Sequence, residues 1–247
     1  SIDWTKKVIK DLSFEMRANF TYNKNKFVCV DDPVYPYVWQ TTTGKPLSRL
    51  TGYIAEGLFK DQQDIELSPD QTALGSTPKP GDIKYRDVNG DGKITSEDKV
   101  MVSPYGSTPR LQYGIGISFD WKKIDFGVFF NGSAKRSIMI NGLNPFNTQE
   151  GHGNRNVMQW IADNYWSESN PNPNAKYPRL GLTQSDISNN DQPSTYWKRS
   201  GNFIRWKSLE IGYKFPHCRV YFSGDNLAVW SPFKLWDPEI WWNAYPL

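Results

Sequence analysis

The sequence predicts an all-β fold, part of a large antiparallel transmembrane β-barrel with long extracellular loops and incomplete at both ends. Three observations predict it: strict period-two alternation, an apolar content dominated by aromatics, and connections that alternate between very short and very long. In Leu12–Phe20 the even positions are apolar and the odd ones polar. From Leu111 to Phe119 the apolar set is Leu111, Tyr113, Ile115, Ile117 and Phe119, with Gln112, Gly114, Gly116 and Ser118 opposite. The return segment sets Ile124, Phe126, Val128 and Phe130 against Asp125, Gly127 and Asn131, with Phe129 the one exception. A later run sets Leu209, Ile211, Tyr213 and Phe215 against Ser208, Glu210, Gly212 and Lys214. Such alternation makes one apolar and one polar face. Charged residues in mid-strand, such as Glu15, Arg17 and Glu210, suit a hydrated lumen.

The connections carry the rest of the case. Phe119 to Ile124 and Phe215 to Arg219 are short turns, whereas the polar stretches from about Asn23 to Pro109 and Gly132 to Gly201 are very long. Compact soluble domains rarely carry such loops, and short periplasmic turns alternating with long outer loops are the outer-membrane pattern. On this reading the strand from Arg219 to Asp225 runs outward and Asn226 to Leu247 begins an extracellular loop. Cys29 and Cys218 then fall at opposite rims and stay free thiols.

Composition excludes several classes. The 247 residues hold 11 Trp, 13 Tyr and 13 Phe but only two Cys, which excludes a disulfide framework and a Cys-based zinc site, and only two His, which argues against a metalloenzyme. Charge is nearly balanced at +3 with scattered basic residues, which argues against nucleic acid. No apolar run is long enough for a transmembrane helix. The first residues, Ser1 to Lys7, show no signal-peptide pattern, as expected of a mature or internal piece. No Ser/His/Asp order, Gly-rich phosphate loop or HExxH motif is present, so an enzyme is not expected.

The sharpest local motif runs from Asp87 to Asp98 and matches the calcium loop D-x-[DN]-x-[DN]-G. Asp87, Asn89 and Asp91 would supply oxygens, Gly92 the sharp turn, and the Lys93 carbonyl, Thr95 and Asp98 the remaining ligands of a structural Ca2+. Ile94 would pack inward. Asp98 stands where a bidentate Glu is usual, and a metal-free turn capped by its own Asn and Asp side chains is the alternative. Loop aromatics (Trp160, Tyr165, Trp166, Tyr196, Trp197, Trp230, Trp236, Trp241 and Trp242) could stack on sugar rings, with Trp166, Trp197 and Trp236 the named substrate candidates. The alternatives are an interfacial girdle or loop packing. Asp31-Asp32 and Asn189-Asn190-Asp191 read as solvated loop tips.

The segment Pro80-Gly81-Asp82-Ile83-Lys84-Tyr85-Arg86-Asp87-Val88-Asn89-Gly90-Asp91-Gly92-Lys93-Ile94 resembles SusC/RagA-type TonB-dependent outer-membrane receptors. Further pieces follow in that family's order: Gly52-Tyr53, Glu56 to Phe59, Trp121 to Phe126, Tyr177-Pro178-Arg179, Ser194 to Trp197, Phe203 to Leu209, Ser223 to Leu227 and Asp237-Pro238-Glu239. The resemblance implies the C-terminal part of a plugged barrel of roughly 22 strands, with the plug domain and the final strand outside this chain. It implies import of a glycan or peptide across the cell outer membrane, contact with outer-membrane lipid, a SusD-like surface lipoprotein as partner, and energy from TonB through the N-terminal part. The competing expectation is a secreted, calcium-stabilised β-domain that binds carbohydrate through its aromatics.

Overall fold

A computed structural model describes residues 1–141, 158–181 and 183–240. Among these, twelve strands run in chain order: β1 (Ile2–Ile9), β2 (Leu12–Tyr22), β3 (Leu50–Gly52), β4 (Ala55–Leu58), β5 (Ile83–Tyr85), β6 (Val100–Ser103), β7 (Leu111–Trp121), β8 (Ile124–Ala134), β9 (Ser137–Met139), β10 (Lys198–Ser200), β11 (Phe203–Lys214) and β12 (Arg219–Trp230). They fall in two compact units, one built on the long strands and one on the two long connections.

The first unit is a six-stranded antiparallel sheet in the order β1-β2-β7-β8-β11-β12. Three hairpins, β1–β2, β7–β8 and β11–β12, turn within a few residues. Lys122 adopts φ 54° in the second of them, and the Phe215 amide donates to the Cys218 carbonyl at 2.7 Å in the third. An 11-residue strand such as β7 rises about 36 Å, and tilted by about 45° it spans roughly the 25 Å apolar band of an outer-membrane barrel.

Register keeps the two faces apart. Facing outward, Met16 pairs with Ile117 and Ile117 with Val128; Val128 in turn pairs with Leu209. Phe14, Phe119 and Phe126 continue the next row. This face is not covered: Ile211 is 45% exposed and Phe222 66%. A water-soluble domain would leave this row in water, where patches of this kind mark a membrane or partner. The inward face carries Glu15, Ser118, Gly127 and Glu210 in one continuous row.

Two features of the sheet differ from expectation. β1 is a strand although Lys6 and Lys7 interrupt its alternation; pairing to β2 and the edge contact of Trp4 with Phe14 at 5.6 Å hold it. β12 continues to Trp230, so Asn226–Trp230 is strand and not loop. A bulge allows this: Trp206 pairs with Ala228 and Ser208 with Asp225. Lys207 on one strand faces Asn226 and Leu227 on the other, and Asn226 takes φ 60°. Lys207 thereby shifts the parity of β11, so that Trp206 and Leu209 share the outward face.

The second unit has its own core, with Tyr53, Phe59, Ile83, Tyr85, Ile94 and Ile187 all at most 2% exposed. Its centre is polar. Pro80-Gly81-Asp82 makes a turn in which Gly81 has φ 85° and the Asp82 amide donates to the Lys79 carbonyl at 3.0 Å. The turn aims a fully buried carboxylate inward. Arg179 pairs with it, with Nε 2.7 Å from Oδ1, and donates from Nη2 to Oδ2 at 3.2 Å. Asn190 donates to Oδ1 at 2.8 Å and accepts from the Ile83 amide at 2.8 Å. Gln71 and Asn189 satisfy the neighbouring backbone of β5. Burial pushes the Asp82 carboxyl above its ordinary value, and Arg179 pulls against that shift. Asn189 and Asn190 are therefore buried, not solvated tips: their side chains replace the ladder partners that β5 lacks. Asp32, likewise, is a loop closer whose carboxylate accepts from the amides of Thr42 and Thr43.

Ile211→Arg should cost about 2–4 kcal/mol of barrel stability if it lies near the midplane, while Glu210→Gln should be nearly neutral. Urea titration of heat-modifiable gel mobility measures both, and equal losses would refute the facing. Asp82→Ala leaves Arg179 unpaired in a buried site and should cost about 3–5 kcal/mol. Limited proteolysis should then release 26–104 and 139–198 fragments while the strands stay protected; unchanged protection there would refute the role given to this pair.

Candidate functional site

Both faces of the sheet are set by the same backbone pleat, so the inward residues form rows that can be read from rim to rim. At the end with short turns the rows are charged. Asp120 pairs with Lys214, and Arg219 binds both Asp125 and Glu210. Arg17 binds Glu15 at 2.5 Å on the neighbouring strand. At the other end the inward residues of β2, β7 and β8 are neutral. Asn19, Gly114 and Asn131 lie side by side, as do Thr21, Gln112 and Ser133.

Phe129, the exception to alternation, lies between these regions on the inward face. Cross-strand neighbours Gly114 and Gly116 make room for it: a Cβ on either would stand 3.0 Å or 3.3 Å from the ring. The ring thus takes the space two side chains would fill.

On β11, in the same row as Asn131, Arg205 is buried at 2% exposure. It binds Asn226, Asp237 and, at 3.2 Å, Glu239, which ties the segment after β12 back to β11. Arg136 fastens the same segment by donating to the Pro238 carbonyl and to the Ser107 carbonyl at 2.6 Å. The Asp237-Pro238-Glu239 turn is therefore an anchored strap.

The Asp87–Asp98 loop is held by its own side chains. Asp87 accepts from the amides of Gly90 and Gly92 at 2.6 and 2.7 Å, Asn89 from Asp91 at 3.1 Å, and Asp91 from Lys93 at 2.8 Å. Gly90 and Gly92 take φ near 80°. Asp98 is fully buried and accepts from Val88 and Thr95, each at 2.8 Å. Thr95 caps the short turn Ser96–Asp98. Ile94 packs inward at 0% exposure, as the spacing required. Among the described residues no three His, Cys, Asp or Glu side chains converge as a metal centre. The turn-capping contacts expected of the metal-free alternative are all made, and carboxylate oxygens that accept an amide keep a second lone pair for a cation.

The aromatic candidates divide. Trp166 and Trp197 are each 5% exposed and cannot offer a face to a ligand, which corrects the substrate role expected of them. Trp166 packs on Gly81, where a Cβ would stand 2.2 Å from the indole, and Trp197 donates to the Asn190 carbonyl at 2.7 Å. Both hold the loop core. Trp160 and Tyr196 pack on Tyr177 and Trp197 respectively. Trp236 is half-buried against Phe233 at 4.6 Å. Trp230 stands 51% exposed at the end of the outward row, a girdle position. Trp241 and Trp242 lie outside the described residues. Cys29 and Cys218 are free and exposed.

No family model matches the chain. Over 206 residues it is 29% identical to TonB-dependent receptor P26 of Formosa agariphila, covering 79% of this chain and 19% of that one. Among solved structures it superposes on the RagAB peptide importer in its open-open state with a TM-score of 0.61 at 19% identity. The closed-closed state gives 0.59 at 19% identity. These superpositions cover 96% of this chain and about a quarter of the matched one, 25% and 26%. The chain thus spans about a fifth to a quarter of the proteins it matches. Over most of its length the chain is similar in sequence to a TonB-dependent receptor, and it shares the fold of about a quarter of the matched peptide importer chain.

Proposed function

We propose that the intact protein is a TonB-dependent importer that takes up a glycan or peptide with a SusD-like surface lipoprotein, and that this segment supplies barrel wall and outer loops. The observation that carries the reading is the two-faced sheet: strands of membrane length with an uncovered apolar row outside and charged and amide rows inside. Support comes from the sequence similarity to a receptor of this class and the fold shared with a peptide importer. The work of this segment is passive. Lipid solvates the outer row, the inner rows wall a hydrated path, and the long loops stand on a folded core of their own. The relative it matches in sequence is a receptor, in keeping with a transporter.

Deleting the gene should abolish growth on one polymeric glycan or on oligopeptides while leaving growth on the monomers intact. A tagged receptor should carry a surface lipoprotein through detergent purification. Unchanged growth on every polymer tested would sink the importer reading.

We also propose that the Asp87–Asp98 loop takes a structural Ca2+ through Asp87, Asn89, Asp91, the Lys93 carbonyl, Thr95 and Asp98. Its support is the ligand spacing and the two glycines at positive φ, with the charge of a bound cation offsetting the carboxylates. Trp39 donates to the Glu97 carbonyl at 2.7 Å, which puts an indole beside the loop. Terbium added to the purified receptor should therefore show saturable luminescence excited through tryptophan, displaced by calcium and lost in Asp91→Ala. A linear, unsaturable response in the wild type would leave the loop as a metal-free turn.

A further inference from the structure

The three short turns form one continuous rim. The Lys122 amide donates to the Asp11 carbonyl at 3.0 Å and the Lys214 amide to the Lys123 carbonyl at 2.7 Å. Lys10, Lys122 and Lys123 are thereby gathered on neighbouring turns, all of them exposed. The acids nearby are committed on the lumen side, where Asp120 holds Lys214 and Asp125 holds Arg219. Among the described residues, Asp11 is the carboxylate these turns leave over, against three lysines without an ion pair. Lys122 reaches toward the membrane side: its Nζ lies 5.5 Å from the centre of the Trp121 ring. Trp121 is 45% exposed and belongs to the outward row of Leu12, Ile124, Tyr213 and Val220. One step deeper, Phe14, Phe119, Phe126, Ile211 and Phe222 make an apolar row, and Lys6 pairs with Phe14 at its edge. A lysine in a lipid-facing row is tolerated close to the interface, where its stem lies on apolar surface and its ammonium reaches the headgroups.

We propose that Lys6, Lys122 and Trp121 form a headgroup site for an anionic glycerophospholipid of the periplasmic leaflet. β1 and β7 lie two strands apart, roughly 10 Å across the sheet, a span over which two flexible lysines can meet one phosphodiester. Trp121 presents an apolar body to the acyl chains and an N–H donor to the wet side. Leu12, Ile124 and Tyr213 continue the surface along which the chains lie. Charge selects the lipid: basic groups beside a membrane attract anionic headgroups, whereas a zwitterionic headgroup brings its own cation and cancels the attraction. Lipid acting only as solvent for the outward row would show no such preference. The proposal rests on the barrel reading, with the short turns facing the periplasm, and adds a lipid selectivity to it.

The test is native mass spectrometry of the full receptor, extracted from membranes in detergent and mixed with equal amounts of phosphatidylglycerol, phosphatidylethanolamine and lipid A. The wild type should retain phosphatidylglycerol over phosphatidylethanolamine by about tenfold or more, each lysine contributing roughly a factor of five. Lys6→Gln/Lys122→Gln should bring the two close to parity, and Lys6→Arg/Lys122→Arg should keep the preference. Lys24→Gln/Lys26→Gln, which removes as much charge beyond the far end of β2, should leave it unchanged. Excess inorganic phosphate should not displace the lipid. Heat-modifiable mobility checks that each variant folds. Parity in the wild type, an unchanged preference in Lys6→Gln/Lys122→Gln, or an equal loss in Lys24→Gln/Lys26→Gln overturns the site. Displacement by free phosphate, or retention of lipid A in place of phosphatidylglycerol, overturns the ligand assigned to it. A membrane-extracted receptor without headgroup preference keeps the barrel and removes the site, whereas recovery of the protein in the soluble fraction removes the barrel itself.

Discussion

The loop unit depends on one buried charge. Asp82 has no contact with water, and a carboxylate in such a place is tolerable only when each oxygen is answered. Arg179 answers both, Asn190 answers one, and the Lys79 amide donates to the other at 2.8 Å. Lys79 belongs to the same turn, but Arg179 and Asn190 lie 97 and 108 residues along the chain from Asp82, so satisfying the charge brings distant segments together. The apolar core around Tyr53, Phe59 and Ile83 adds non-directional attraction. It is the directional set that fixes which loop meets which. Gly81 is a condition of the whole arrangement, since only a residue without Cβ lets the turn bend this way with Trp166 against it.

The sheet obeys a different constraint. Its outer row needs only to be apolar and continuous, which is why Ile, Val, Leu, Phe and Trp alternate there without special pairing. Its inner rows are specified atom by atom. Charges gather at the rim of short turns, where Arg219 bridges Asp125 and Glu210, and amides and hydroxyls occupy the rows beyond Phe129. The wall therefore changes character along its length while its outside stays uniform.

Much of the wall was legible in the sequence because period-two alternation is a local signal. Strands β2, β7 and β8 and the lower half of β11 appear where the alternation places them, and Ile94 packs inward as its place in the loop required. β1 was not legible, since two lysines break its pattern and only pairing with β2 rescues it. The end of β12 was missed because Asn226 imitates a turn residue; its φ of 60° belongs to a bulge inside the strand. The loop residues were misjudged for a physical reason too. Asn189-Asn190-Asp191 is as polar as any solvated tip, and nothing local reveals that distant backbone groups of β5 lack partners. Trp166 and Trp197 look like ligand platforms by type, yet their contacts lie with Gly81 and Asn190. Both Asp82 and Arg179 stood in recognisable motifs, but their meeting could not be read from either.

The bulge at Lys207 carries a further consequence. Because it inverts the parity of β11 halfway along, odd-numbered residues above it face the lumen and odd-numbered residues below it face lipid: Arg205 on one side, Leu209 on the other. The strand thus holds two reading frames joined by one residue. Whatever side chains each frame holds, deleting the joint would turn a buried arginine out toward hydrocarbon. This architecture constrains the length of β11 as well as its chemistry.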